Sequence, residues 1–262
     1  MEDATPRPAR RVQRVRHELK RREVEVARVA RLGPGFVEVT FAGESLADFV
    51  SDGFDDHVKF MFDGGAGGEP VRRDYTPRRF DRARGELTIE FAVHGRGAAS
   101  DWARQAQAGQ RATIGGPRGS MVVPADYDWH LLAGDDSALP AIHRRLEELP
   151  EGAHAIVIVQ MADEADRRRL DSRARLDLRW VATADELVEA VAALDLPPGD
   201  GYAWAAGEAA AMARLRDVLL NDKRHPKEAM RVAAYWKRGV SDHHDELSQP
   251  APPSAAGHAG PR

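Results

Sequence analysis

The segment RDYTPR (73–78) holds the side chains best suited to chemistry. Successive side chains of a strand point to opposite faces, so Arg73 and Tyr75 share one side and Asp74 and Thr76 the other. The Arg73 guanidinium is a planar fork that matches a phosphate. The Tyr75 ring offers a flat face to an aromatic ligand, and the Thr76 hydroxyl and amide can hydrogen-bond a ring nitrogen. The same letters also suit a strand whose arginine faces solvent and whose tyrosine packs. A second segment, FAVHGRGAASDWA (91–103), runs from a strand through a Gly-rich turn into a helix. Free amides at a helix start favour anions. Ser100 adds a hydroxyl there. His94, at the strand end, can donate to a phosphate or ribose, or serve as a structural histidine. Read together, the two segments supply the contacts of a flavin nucleotide.

Two further segments, LLAGDDSALPAI (131–142) and AAGEAAA (205–211), are apolar strands that reach a glycine and turn into a helix. Ligands of open α/β sheets bind at such carboxyl ends. Gly207 permits close backbone approach, and Glu208 opens a helix. Each also reads as an ordinary strand–helix turn. The chain has no GxGxxG, so the common dinucleotide fingerprint is absent.

The elements that must position these residues fall into two groups. From Val24 to Val123 short alternating runs dominate: Val37, Val39 and Phe41; HVKFMFD (57–63); RRDYTPRRF (72–80); ELTIEFAVH (86–94); ATIGGP (112–117); MVV (121–123). Gly/Pro punctuation between them, as in GGAGGEP (64–70), predicts a six-stranded antiparallel barrel. Beyond Tyr127 apolar strands alternate with helices: WHLLAGD (129–135), ALPAIHRRLEEL (138–149), AIVIVQM (155–161), LRWVA (178–182), ELVEAVAAL (186–194), YAWAAG (202–207) and EAAAMARLRDVLL (208–220). Continuous apolar strands separated by helices predict a parallel sheet covered on both faces. The predicted organisation is a basic flexible arm (1–22), a β-barrel domain (23–126), an α/β domain (127–240) and a disordered tail (241–262) rich in Pro and Ala, whose His243, His244 and His258 read as solvated.

Composition narrows the chemistry. The 262 residues carry 38 Lys and Arg against 42 Asp and Glu, a net charge of −4 that disfavours a general nucleic-acid binder. There are no cysteines, which excludes disulfides, thiolate metal sites and a cysteine nucleophile. Redox chemistry would therefore need an organic cofactor. No apolar run is long enough for a bilayer and no secretory signal opens the chain, so the expected location is the cytoplasm.

RDYTPR (73–78), HG-x-G-x-x-S-x-WA (94–103), GGPRGS (115–120), LLAGDDSALPAI (131–142), WAAGEAAAMARLR (204–216) and YWKRG (235–239) occur in an order that resembles the siderophore-interacting proteins. These are flavin-dependent ferric-siderophore reductases of the ferredoxin–NADP reductase superfamily. The resemblance spans roughly residues 20–240. It implies a barrel that binds FAD and an α/β domain that binds NADPH or NADH. For FAD it implies Arg73, Asp74, Tyr75 and Thr76, then Val93, His94, Gly97, Ala98, Ala99 and Ser100. For the nicotinamide nucleotide it implies Gly134, Asp135, Ser137, Ala138, Gly207 and Glu208. It implies Lys59, Arg118, Lys237 and Arg238 as cations that receive an anionic ferric siderophore, with no protein ligand to a metal. Ser137 stands where the family usually has Thr, and Ala234 where it has Gly.

A flavin between a two-electron donor and Fe(III) explains such an arrangement. Arg167, Arg168 and Arg169 can clamp a 2′-phosphate or form a solvated helix face. Ferredoxin is an alternative donor, which the basic N-terminus would suit. A monomer is expected. Two other functions fit the same letters: a general NAD(P)H:flavin oxidoreductase that releases its flavin, and a non-enzymatic siderophore-binding module.

Overall fold

The computed structural model describes residues 12–63, 70–93, 97–240 and 245–246. Expectations for residues 1–11, for the loop at 64–69, for His94 and for the tail histidines lie outside the described residues.

The first half contains β1 (Gln13–Arg16), β2 (Arg21–Gly33), β3 (Phe36–Ala42), β4 (Val58–Phe62), β5 (Val71–Tyr75), β6 (Arg79–Asp81), β7 (Glu86–Ala92), α1 (Ala98–Gln105), β8 (Arg111–Gly115) and β9 (Gly119–Val122). Seven of these strands form one curled antiparallel sheet, ordered β5-β4-β8-β2-β3-β7-β6. Its core takes Val24 and Val26 from β2, Val37, Val39 and Phe41 from β3, and Phe60, Ile89 and Phe91 from strands further along. Alternate residues point inward, as the sequence pattern requires.

Two corrections follow. The six-stranded barrel is a seven-stranded sheet, because RRDYTPRRF is two strands and not one. Pro77 has no amide to donate, so β5 ends before it and β6 starts on β7, with Arg79 opposite Thr88. The basic arm is not free up to residue 22. Gln13–Arg16 pair antiparallel with Gly119–Val122 as a separate ribbon, and β2 begins at Arg21. Main-chain pairing orders this edge and leaves its charged side chains exposed, which a composition-based reading takes for a tail.

The second half contains β10 (Trp129–Gly134), α2 (Leu139–Glu148), β11 (His154–Gln160), β12 (Arg175–Val181), α3 (Ala184–Ala192), β13 (Gly201–Glu208), α4 (Ala209–Asp217), β14 (Met230–Trp236) and β15 (Asp245–Glu246). The sheet order is β12-β11-β10-β13-β14-β15, parallel except for the last pair. β14, an apolar run MRVAAYW, extends the expected four-stranded sheet. Side chains alternate between two cores. Leu132 faces α2 along with Leu139, Ile142 and Leu146, whereas Leu131 and Ala133 face α3 and α4.

The two sheets share a core and a charged seam. Phe36 and Phe54 of the first half are buried with Tyr127, α2 and Trp204 of the second. The buried Arg78 bonds Glu90 at 3.0 Å and grips Glu147 of α2 with both terminal nitrogens, at 2.8 and 2.9 Å. Arg144 of α2 donates to the Ser51 hydroxyl and the Pro77 carbonyl.

Candidate functional site

β5 and α1 form a cradle. α1 packs against β5 and β7, held by Trp102, whose ring lies 4.7 Å from Phe60 and 5.7 Å from Phe91. Tyr75 is half-buried beside them, 4.4 Å from Phe91 at a tilt of 49°. Burial pushes its phenol well above the ordinary value, so the ring stays neutral. Arg73 shares that side of β5 and donates to the Arg72 carbonyl at 2.7 Å. Among the described residues no side chain caps α1: Gly97 precedes it in an extended conformation, and Gly97 and Ala98 are exposed. The helix start, with Ala99 buried and Ser100 half-buried, thus presents bare amides. Val93 is fixed at the end of β7 by its amide on the Gly35 carbonyl and by Arg104 on its own carbonyl. Thr76 is buried directly after β5. A helix end without a cap, a nearby guanidinium and a half-buried aromatic face fit a flavin nucleotide.

Asp74 turns to the other face of β5 and pairs with Lys59 at 2.9 Å. That face walls a cavity of about 840 Å³, within the range of small-molecule sites. Lys59, Arg72 and Arg118 line it beside Asp74, together with Arg21 from β2. Arg14 and Arg16 of β1 line it from the ribbon. Arg231 of β14 closes it from the second half, paired at 2.9 Å with Asp55, which also accepts from the Trp204 indole. Lys59 and Arg118 are thus brought together. Lys237 and Arg238 stand on an exposed turn beyond β14, closed by the Lys237–Val240 bridge, and do not line this cavity. Arg14, Arg16, Arg21, Arg72 and Arg231 were not among the cations expected at the substrate. The period of β5 was the available signal for Arg72, since it shares a face with Asp74.

At the carboxyl end of the parallel sheet Gly134, Asp135, Ser137 and Ala138 meet Gly207 and Glu208. Asp135 is buried and fully engaged. One oxygen accepts from the Ser137 amide at 3.0 Å and hydroxyl at 2.5 Å; the other accepts from the Glu208 amide and the Trp236 indole, each at 2.8 Å. Burial, helped by the charge of Asp136, pushes its carboxyl up to about 6. Gly207 has φ 152°, and a Cβ there would run into the Asp135 carboxylate. The Glu208 carboxylate caps α4, accepting from the Ala210 and Ala211 amides. Asp135 thus shapes the surface with both oxygens engaged, and Glu208 commits Oε2 to the cap. The three consecutive arginines do not lie on a helix: Arg168 pairs with Glu90 of β7, Arg167 with Glu164 and Arg169 with Asp171. Among the described residues no helix is long and apolar enough to cross a membrane.

A curled antiparallel sheet joined to a parallel nucleotide-binding-type sheet defines a ferredoxin reductase-like flavoprotein. The fold agrees with that of the ferredoxin reductase of carbazole 1,9a-dioxygenase, at a TM-score of 0.64 and 19% identity over 83% of this chain and 70% of that one. The profile of the siderophore-interacting protein family matches residues 127–239, and that of the siderophore-interacting FAD-binding domain matches 25–70 and 65–121. The chain belongs to the siderophore-interacting protein family. It is 38% identical to the NADPH-dependent ferric-chelate reductase of Escherichia coli, over 86% of this chain and 96% of that protein. It is 30% identical to the ferric vibriobactin reductase ViuB of Vibrio cholerae, over 86% and 93%. A siderophore utilization protein from T. fusca superposes with a TM-score of 0.81 at 34% identity, over 88% of this chain and 98% of that one.

Proposed function

We propose that this chain reduces a ferric siderophore with electrons from NADPH, through bound FAD, and so releases Fe(II) for iron assimilation. The observation that carries this reading is the double use of β5. Its Arg73–Tyr75 side belongs to the flavin cradle, and its Arg72–Asp74 side walls the basic cavity. Donor and acceptor chemistry thus share one strand.

Bound flavin takes up electrons in pairs and passes them on singly, as a nicotinamide donor and an Fe(III) acceptor require. Arg73, Ser100 and the amides from Gly97 to Ala99 hold the phosphates. Tyr75 flanks the ring system, Thr76 hydrogen-bonds its edge, and Val93 borders the cradle. Gly134, Ser137, Ala138 and Gly207 offer the nicotinamide a close backbone surface, whose shape Asp135 and Glu208 maintain. Lys59 and Arg118 hold the chelate by charge, while Lys237 and Arg238 attract it at longer range. The protein acts as a monomer in the cytoplasm, where NADPH is supplied.

The test is anaerobic visible spectroscopy of the purified protein. A yellow protein that bleaches with NADPH and recolours with a ferric siderophore supports the reading. A yellow protein inert to NADPH and NADH points to ferredoxin as donor. A protein that stays colourless after incubation with FAD overturns it.

A further inference from the structure

We infer that β1, which lies in the Arg-rich N-terminus, is a wall of the substrate cavity and makes this chain selective for polyanionic ferric chelates. The inference rests on the reading of that cavity as a ferric-chelate site.

The first observation is how firmly β1 is seated. Arg14 lies opposite Met121 and Arg16 opposite Gly119 in an antiparallel pair. The clamp continues past the strand: the His17 amide donates to the Arg118 carbonyl at 3.0 Å, and the His17 ring bonds the Ser120 hydroxyl at 2.8 Å. A Cβ on residue 119 would collide with the Val15 carbonyl, so the approach of β1 requires Gly119. The last glycine of GGPRGS, Gly119, is therefore fitted to the N-terminal strand, which joins two sequence features that lie about a hundred residues apart.

The second observation is charge. Among the described residues seven cationic and three acidic side chains line the cavity, an excess of four, and Arg14 and Arg16 supply half of that excess. Two of the acids are already matched inside the wall, Asp74 by Lys59 and Asp55 by Arg231. The third, Asp56, accepts from Ser51, Ser120 and the Gly53 amide. Charge of this kind stabilises a chelate in proportion to the chelate's own negative charge and leaves a neutral one almost indifferent.

The probes are a trianionic ferric tris-catecholate and a neutral ferric tris-hydroxamate, titrated into the oxidised FAD-loaded full-length protein at low salt. Quenching of tryptophan fluorescence gives Kd, and steady-state reduction gives KM. For Arg14→Gln/Arg16→Gln the preference for the trianion over the neutral chelate should fall roughly fivefold to tenfold, an effect that fades at high salt. Arg14→Lys/Arg16→Lys should keep most of the preference, which separates charge from misfolding. An unaltered preference in the Gln pair, or equal weakening of both chelates, overturns the inference and leaves β1 a structural edge. A parent protein that binds neither chelate overturns the ferric-chelate reading itself, and this inference with it.

Discussion

The indole nitrogen of Trp236 donates to Oδ2 of Asp135 at 2.8 Å, tying the end of β14 to a buried carboxylate at the end of β10. Trp236 is 38% exposed, so the bond fixes an indole that would otherwise be loose at the mouth of the site. The Glu208 amide on the same oxygen adds β13. One carboxylate thus aligns three strand ends on which the proposed nicotinamide surface is built.

Asp135→Asn should destabilise the fold by about 2–4 kcal/mol, because an amide accepts at one position only and would turn its NH₂ toward two donors. The pH dependence carries a sign. An unfolded aspartate titrates near 3.8 and the folded Asp135 at about 6, so the folded state binds the extra proton between those values. Parent stability from this group is then highest at low pH and falls as pH rises from about 4 to 6. Urea unfolding at several pH values should show the gap between parent and variant widening toward pH 4.5. A gap independent of pH would contradict the assignment.

Arg73→Ala should weaken FAD retention by roughly tenfold or more, the scale of a charge-assisted hydrogen bond to phosphate. Its guanidinium makes one described contact, to the neighbouring Arg72 carbonyl, so folding loses little with it. The ratio of flavin absorbance to protein absorbance after gel filtration measures the effect. Full retention would remove Arg73 from the cradle.

The seam between the sheets makes a separate prediction. Arg78→Met leaves the buried Glu90 with Arg168 alone and removes two of the donors to Glu147, which keeps Arg79, a loss of about 3–5 kcal/mol. Burial pushes the Glu147 carboxyl up, but the bond and charge of Arg78 reverse this and hold it at about 2, against an ordinary 4.5. A depressed carboxylate contributes stability that is complete above its unfolded value and is lost as pH falls through the folded one. Acid unfolding followed by circular dichroism between pH 4.5 and 2 should therefore be less steep in the variant. An equal slope would mean that the pair contributes nothing across this window.

What was legible in the sequence was whatever depends on neighbours in the chain. The period of 2 in β3 and β7, the apolar runs of β10, β11 and β13, and the Gly-Ala-Ala-Ser start of α1 each carry their own signal. The alternation of RDYTPR separated Tyr75 from Asp74 before any contact was known. Long-range pairing was not legible. Arg14 and Arg16 look like tail residues until Gly119 gives β1 a strand to sit on. Asp135 looks like a ligand until Ser137, Glu208 and Trp236 are seen to use both of its oxygens. Arg168 looks like part of a basic run until Glu90, far back on β7, takes it.

The position of the cations sets the final prediction. Lys59 lines the basic cavity from β4, 40% exposed and paired with Asp74, whereas Lys237 sits on the turn beyond β14 and does not line it. Reversing a charge beside an anionic chelate acts at short range with little screening, while reversing one further off is damped by salt within about 10 Å. Lys59→Glu should therefore raise the KM for an anionic ferric chelate by about tenfold or more at physiological salt. Lys237→Glu should raise it about twofold, and mainly at low salt. Lys59→Glu also places a carboxylate beside Asp74, so FAD content and thermal midpoint are read on the same sample, and Lys59→Gln serves as the milder variant. Equal responses at the two positions would place the chelate nearer the β14 turn than the cavity does. A larger effect at Lys237 would move the substrate site to the end of the parallel sheet.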